Sequence, residues 1–228
     1  MIKTVLLDLD DTILDFHKAE RIALSATLKE IGIEPTGAVI KRYSEINQMH
    51  WKKLELGELT RTEVLHGRFT QLFSEMGVAG DCYEAQRIYE WKLGTGHYFL
   101  DGGQELLDTL YKKYDLYLAS NGTDIVQTRR IASANIEHYF KDLFISQRLG
   151  HDKPQKEFFD AAFARIKNFN PNEAIIIGDS LTSDIRGGIN AGIRTCWFNL
   201  HKIKNDSGIF PDYEVTKLSE IPELLERI

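Results

Sequence analysis

The sequence predicts an α/β fold in which helices cover a parallel β-sheet and an all-helical segment is inserted after the first strand. Two observations predict the sheet: short apolar runs recur along the chain, and amphipathic helical patterns lie between the later runs. Strands that alternate with helices form βαβ units, whose strands are parallel and buried on both faces. A third observation predicts the insertion, because a long stretch after the first run contains helical patterns but no convincing strand.

The predicted strands are short apolar runs that end abruptly in polar residues. They lie at residues 5–9, 116–119, 143–145, 174–177 and 195–198. The helices predicted beside them have apolar residues at helical spacing and lie at residues 103–113, 124–135, 155–167 and 182–191. Each crossover between parallel strands is expected to be right-handed.

The inserted segment contains four amphipathic patterns, at residues 19–31, 38–56, 61–76 and 82–92. Gly32, Gly57 and Gly77 follow three of these patterns, and glycine readily adopts the left-handed conformation that ends a helix. The predicted domains are therefore an α/β core of residues 1–16 and 98–228 and an all-helical cap of residues 17–97.

Composition and charge narrow the possible functions. The chain has 228 residues, of which 43% are hydrophobic and 27% are charged, as in an ordinary soluble domain. Its net charge of −6 argues against binding to a nucleic acid polymer or an anionic membrane. The first apolar run is too short for a signal peptide or a membrane span, so we expect a cytoplasmic protein. The expected partner is a small molecule, and the protein is expected to be a monomer or a homodimer.

Polar residues follow four predicted strands, at the edge of the sheet where open α/β folds bind ligands. They are Asp8, Asp10, Thr12, Ser120, Asn121, Lys153, Asp179 and Asp184. Several carboxylates at close range cannot all remain ionised without a compensating positive charge. Mg²⁺, which prefers oxygen ligands, and Lys153 can supply that charge. The pattern therefore predicts a magnesium site at which Asp8 attacks the phosphorus of a phosphate ester.

These motifs resemble those of the haloacid dehalogenase (HAD) superfamily. The matching residues are the Asp-x-Asp-x-Thr of residues 8–12, Ser120, Lys153-Pro154, and the Gly-Asp-x-x-x-x-Asp of residues 178–184. The resemblance covers the whole chain and implies a Rossmann-like core with a helical cap. It also implies that Asp8 is the nucleophile, and that Asp10 protonates the leaving group and then activates water.

The same resemblance implies roles for the other residues. Thr12 and Ser120, with Asn121 beside them, would hold phosphate or shape the loop around it, and Lys153 would bridge Asp8 and the phosphate. The implied metal ligands are Asp8, the backbone carbonyl of Asp10, and Asp179, while Asp184 would orient the metal's waters or Lys153. Asp11 stands where the commoner family pattern has glycine, and we assign it no catalytic role.

The expected substrate is a nucleoside 5′-monophosphate. Asp10 argues for phosphate-ester chemistry, because the dehalogenase and phosphonatase branches of the family lack an acid/base residue there. Cap residues 51–69 resemble the pyrimidine 5′-nucleotidase branch, and Trp51 is a candidate for stacking on the base. For Trp51, Tyr89 and Trp91 alike, however, a place in the hydrophobic core of the cap is favoured over stacking on a base.

Several other functions stay open. They are a phosphatase of sugar phosphates or phosphoglycolate, a phosphomutase that returns the phosphoryl group to a sugar, and a non-enzymatic phospho-acceptor signalling module. Signalling receivers carry their acceptor aspartate on a middle strand and lack a cap of this size, which argues against the last alternative.

Overall fold

A computed structural model describes residues 1–228, and a parallel sheet of six strands lies at its centre. The strands are β1 Thr4–Leu7, β2 Asp115–Ser120, β3 Asp142–Ile145, β4 Ala174–Gly178, β5 Arg194–Phe198 and β6 Tyr213–Val215. Their order in the sheet is β3-β2-β1-β4-β5-β6. The chain runs outward from β1 to β3 and then returns to β4 on the other side of β1. The carboxyl ends of β1 and β4 therefore flank the point where the strand order reverses, which is where such folds bind ligands.

Ten α-helices accompany the sheet. They are α1 Phe16–Glu30, α2 Gly37–Glu55, α3 Arg61–Met76, α4 Cys82–Leu93, α5 Gly103–Leu110, α6 Asp124–Ala134, α7 Ser146–Leu149, α8 Lys156–Phe163, α9 Arg186–Ala191 and α10 Ile221–Arg227. A π-helical turn, Leu181–Ile185, leads into α9. None of the helices is long and apolar enough to cross a membrane.

All five predicted strands and all eight predicted helical segments occur, with ends that differ by a few residues. The apolar runs show no alternation because both faces of the sheet are covered: Val5 and Leu7 of β1 pack in one hydrophobic cluster, and Leu6 packs in another. The sequence patterns missed β6, α7 and α10. These elements have only three, four and seven residues, too few to show a clear periodicity.

The cap contains a hydrophobic cluster of its own. Of its 13 buried residues, all but Val126 of α6 lie between Ala19 and Leu93. The three glycines predicted to end α1, α2 and α3 have φ angles of 78°, 74° and 65°, in the left-handed region. Tyr89 belongs to the cluster, whereas the expectation that Trp91 is a core residue of the cap is wrong, since 65% of Trp91 is exposed. The domain boundaries drawn from the sequence stay a prediction.

Two linkers connect the cap and the core and run side by side: residues 14–15 lead into α1, and residues 94–100 follow α4. The backbone N–H of Asp15 donates to the carbonyl of Tyr98 at 2.8 Å. Leu14 and Phe99 form an antiparallel bridge one residue further into the core. Both linkers lie next to the carboxyl end of β1. A change in the position of the cap would therefore move backbone close to Asp8.

Candidate active site

The centre of the site is a group of three carboxylates and one lysine at the carboxyl ends of β1 and β4. One carboxylate oxygen from each of Asp8, Asp179 and Asp184 lies within 4.8 Å of the other two. Lys153 Nζ donates to Asp8 Oδ1 at 2.7 Å and to Asp184 Oδ1 at 2.6 Å. It also donates to the carbonyl of Ala119 at 2.6 Å. The fold thus brings together four of the residues that the sequence placed in the site.

The electrostatics of this group favour a bound cation. Burial raises the pKa of Asp8 to about 8, against the opposing effect of Lys153. Burial and the two neighbouring carboxylates also raise the pKa of Asp179 well above its usual value. Burial opposes the charge of Lys153, but Asp184 and Asp8 outweigh it and raise the pKa of the ammonium group. Because one ammonium faces three carboxylates, the residues present fit a hard divalent cation with oxygen ligands.

Gly178 allows Asp184 to approach the strand closely. A Cβ at position 178 would lie 2.2 Å from Asp184 Oδ2, so no larger residue fits there without displacing the carboxylate. The same oxygen accepts a hydrogen bond from the backbone N–H of Ser180 at 3.1 Å. Gly178, the first residue of the Gly-Asp-x-x-x-x-Asp motif, is therefore required by the close packing of Asp184.

Asn121 holds the backbone of Lys153 from both sides. Its Oδ1 accepts from the Lys153 N–H, and its Nδ2 donates to the Lys153 carbonyl, each at 2.8 Å. Nδ2 also lies 3.3 Å from Ser183 Oγ. The sequence predicts Asn121 as a substrate-binding residue, but its side chain is engaged in placing the lysine.

Asp10 lies outside the group of three carboxylates. Its Oδ1 accepts a hydrogen bond from Arg130 Nη1, and its Oδ2 accepts one from Gln127 Nε2 at 2.6 Å. The same Gln127 nitrogen donates to Ser120 Oγ at 2.7 Å. The side chain of Asp10 is therefore not placed among the metal ligands, which leaves its backbone carbonyl as the ligand that the family resemblance implies.

Thr12 and Asp11 shape the loop after β1. Thr12 is fully buried, its hydroxyl has no hydrogen-bond partner, and it does not line the cavity of the site. Its placement favours a role in shaping the loop over one in binding phosphate. Asp11 has a φ of 55°, a conformation that explains why glycine is common here and that aspartate tolerates. Its carboxylate accepts from the N–H of Phe16 at 2.9 Å and so lies at the start of α1.

A cavity of about 790 Å³ extends from the carboxylates into the cap. Its walls include Asp8 and Lys153 from the core and Trp51 from α2. Trp51 is half-buried and lies outside the hydrophobic cluster of the cap, and its ring centroid is 5.6 Å from Arg61 Cζ. The cavity is large enough for a nucleotide-sized ligand.

Polar contacts join the cap to the core at the edge of this cavity. Arg61, the first residue of α3, donates to the Asn121 carbonyl at 2.8 Å, to Ser146 Oγ at 2.5 Å and to Asp152. Thr182 Oγ1 donates to Glu55 Oε2 at 2.7 Å. In this structure the cap is therefore in contact with the loops that carry the catalytic motifs.

The sequence patterns gave no role to Arg130, Gln127, Glu55 or Thr182. Only the spacing of Gln127 and Arg130, one turn apart on a helix, hints that they face the same side. Arg61 stands within the cap segment that resembles the nucleotidase branch, but nothing in the sequence indicates its partners in the core.

Comparison with protein families and curated proteins gives consistent results. Residues 2–192 match the family model of the haloacid dehalogenase-like hydrolases. The chain is 40% identical to the HAD-hydrolase YfnB of Bacillus subtilis over 223 residues, which are 98% of this chain and 95% of YfnB. It is also 40% identical to the pyrimidine 5′-nucleotidase PynA of Streptococcus pneumoniae over 227 residues, 99% of this chain and 95% of PynA.

Two further relatives extend this result. The pyrimidine 5′-nucleotidase YjjG of Escherichia coli is 29% identical over 222 residues, 97% of this chain and 96% of YjjG. A crystal structure of YfnB bound to magnesium superposes with a TM-score of 0.94 and covers 98% of both chains. That crystal structure is described as revealing interdomain movement in YfnB.

Proposed function

This chain belongs to the haloacid dehalogenase-like hydrolases, and we propose that it is a magnesium-dependent phosphatase of nucleoside 5′-monophosphates, chiefly of pyrimidine nucleotides. The names of PynA and YjjG support the substrate class. The observation that carries the proposal is the buried lysine bridge, in which Lys153 bonds both Asp8 and Asp184 beside the third carboxylate, Asp179.

The carboxylates and one backbone carbonyl would hold the metal. Asp8, Asp179 and the carbonyl of Asp10 are the proposed ligands, and Asp184 is placed beside them to orient water or Lys153. When bound, Mg²⁺ would neutralise the cluster and stabilise the negative charge that develops on the transferring phosphoryl group.

In the first half of the reaction, a carboxylate oxygen of Asp8 attacks phosphorus, and an acyl-phosphate bond forms. The bond between phosphorus and the 5′ oxygen of the nucleoside breaks, and Asp10 gives its proton to that oxygen, so the nucleoside leaves as an alcohol. Lys153 holds Asp8 Oδ1 at 2.7 Å, which fixes the carboxylate and balances its charge as the phosphate approaches.

In the second half, water attacks the phosphorus of the aspartyl-phosphate. The water gives a proton to Asp10, the acyl-phosphate bond breaks, and Asp8 is restored with release of inorganic phosphate. The sum is one ester and one water converted to one alcohol and one phosphate. Asp10 thus ends each cycle with the proton that it donated at the start.

The cavity supports a substrate with a bulky leaving group. It reaches from Asp8 to Trp51 in the cap, and the half-buried indole presents a flat apolar surface on which a base can stack. A small ester such as phosphoglycolate would leave most of the 790 Å³ filled with water. We therefore place the phosphate at the core end of the cavity and the base at the cap end.

The test is a panel of phosphate monoesters with added Mg²⁺, in which released phosphate is measured for the wild type, Asp8→Asn and a control, Asp206→Asn. Asp206 is an exposed residue far along the chain from the motifs, paired with Lys204. We expect phosphate release that depends on Mg²⁺, that is fastest for UMP, dUMP or dTMP, that falls by several orders of magnitude in Asp8→Asn, and that is unchanged in the control.

Three results would contradict parts of the proposal. Undiminished activity in Asp8→Asn would refute the nucleophile assignment. Much faster hydrolysis of sugar phosphates or phosphoglycolate would refute the nucleotide substrate but leave the mechanism intact. Transfer of the phosphoryl group to a second sugar phosphate, with little free phosphate, would identify a mutase.

A further inference from the structure

Arg130 of α6 is a fully buried guanidinium beside the active site, and the reaction scheme above gives it no role. Its one carboxylate partner is Asp10. Its Nε donates to the carbonyl of Gly96 at 2.9 Å, and its Nη1 also lies 3.2 Å from Gln127 Oε1. The aromatic ring of Phe16 lies beneath it, with the centroid 5.7 Å from Cζ.

The stability of the fold does not explain this arrangement. Burying an ion pair costs desolvation free energy that the pair's attraction often fails to recover, and apolar replacements of such pairs are often neutral or stabilising. Arg130 Nη2 is moreover buried without a hydrogen-bond partner, which adds a further cost. A buried pair with this free-energy cost beside an active site is explained better by its effect on Asp10.

Arg130 and Gln127 together fix the orientation of the Asp10 carboxylate. Each takes a different oxygen, Arg130 bonding Oδ1 and Gln127 bonding Oδ2. Because the two donors lie one helical turn apart and also contact each other, they move as one unit with α6. The carboxylate can therefore neither rotate about its Cβ–Cγ bond nor swing away from the loop without breaking a charge-assisted hydrogen bond.

The same guanidinium is anchored to both linkers between the core and the cap. Gly96 lies in the second linker, and Phe16, where α1 begins, follows directly on the first. The position of the Asp10 side chain is therefore tied to the place where the cap joins the core. We infer that Arg130 is a positioning residue, which holds Asp10 where it can exchange protons with the leaving group and with water.

This inference rests on the proposed function, and leaving-group chemistry can test it. A nucleoside leaves as a poor alkoxide and needs a proton from Asp10, whereas p-nitrophenolate leaves without one. A misplaced Asp10 should slow the first step for nucleotides but not for p-nitrophenyl phosphate. Water activation by Asp10 would be slow for both substrates, so the phosphoenzyme should accumulate with p-nitrophenyl phosphate.

The variants are Arg130→Met, Arg130→Lys and the control Arg165→Met, which removes a surface arginine paired with Asp142. The measurements are steady-state kinetics on the best nucleotide, stopped-flow release of p-nitrophenolate, and the thermal midpoint. In Arg130→Met we expect kcat for the nucleotide to fall by roughly 100-fold, the size of a typical acid–base contribution, with a KM change below about threefold. The first turnover of p-nitrophenyl phosphate should stay near the wild-type rate and appear as a burst before slow turnover.

Equal losses in the nucleotide kcat and in the first turnover of p-nitrophenyl phosphate would refute the positioning role, as would an unchanged nucleotide kcat. Should Arg130→Met fail to fold, Arg130→Lys keeps the buried charge but lacks the planar fork that bonds Asp10 and Gly96 at once. In Arg130→Lys the nucleotide kcat is again expected to fall, by roughly tenfold, while the first turnover of p-nitrophenyl phosphate stays near the wild-type rate. A wild-type protein that forms no phosphoenzyme would instead refute the proposed function, and the inference with it.

Discussion

Replacing Arg61 with methionine removes the main polar contact between the cap and the core, and we expect the cap to open. Arg61 bonds the Asn121 carbonyl, Ser146 and Asp152, all in the core. The side chains of Arg61 and Asp152 are only 15% and 16% exposed. Methionine keeps most of the apolar stem of the side chain while it removes all of the donors.

The size of the effect follows from these contacts. A hydrogen bond to a charged group contributes about 1.5–3 kcal/mol, and partial exposure and shared geometry keep the three contacts from adding fully. A net loss of about 2–3 kcal/mol is expected, which changes the ratio of closed to open molecules by about 30- to 150-fold. The bond between Thr182 and Glu55 remains, at 2.7 Å. The contacts of Arg129 with the Trp91 ring and of Arg130 with the Gly96 carbonyl also remain.

Small-angle X-ray scattering and steady-state kinetics can measure this change. The radius of gyration should rise in Arg61→Met, and kcat/KM should fall because fewer molecules have the cap in contact with the motif loops. The control is Arg42→Met, which makes the same substitution but breaks an exposed pair with Glu75 inside the cap. An Arg61→Met protein with the scattering and kcat/KM of the wild type would refute the idea that this contact holds the cap closed.

Three further predictions concern the metal site, the close packing of Gly178 against Asp184, and the stacking of the nucleobase on Trp51. Mg²⁺ at 100 times its Kd should raise the free energy of unfolding by about 2.7 kcal/mol, and Asp179→Asn should remove most of the resulting rise in Tm; a Tm indifferent to Mg²⁺ would contradict the metal site. Gly178→Ala places a Cβ 2.2 Å from Asp184 Oδ2, so a lower Tm and loss of activity are expected, and wild-type kinetics would show that this close approach is unnecessary. Trp51→Leu should raise KM by about tenfold for pyrimidine nucleotides, the loss of a stacking contact, but not for ribose 5-phosphate; equal effects on both would exclude stacking.

The elements predicted from the sequence are those whose signals are local. A buried parallel strand such as β1 is a short apolar run whatever it pairs with, and an amphipathic cap helix shows its period in its own residues. The same holds for the end of α3, where Gly77 adopts the left-handed conformation. Short edge elements such as β6 lack such a signal, because their place depends on what they pack against.

The residues of the site likewise divide into those with a local sequence signal and those without one. Asp8 and Asp179 could be predicted because each directly follows a strand, and parallel strands bring their carboxyl ends to one edge of a sheet. Lys153 follows β3 only after α7, so the Lys-Pro motif indicated it rather than a strand end. Arg130 could not, because it lies 120 residues from Asp10 in the middle of an ordinary helical pattern.

The sequence by itself thus determined the fold class, the helical insertion and the acidic residues at the edge of the sheet, since the signal for each lies in residues that are neighbours along the chain. Only the tertiary structure decided which donors hold Asp10, that Asn121 serves Lys153, and that Arg61 ties the cap to the core. The physical reason is that a hydrogen bond depends on ångström-scale distances between side chains remote in sequence, and such distances exist only after the chain has folded.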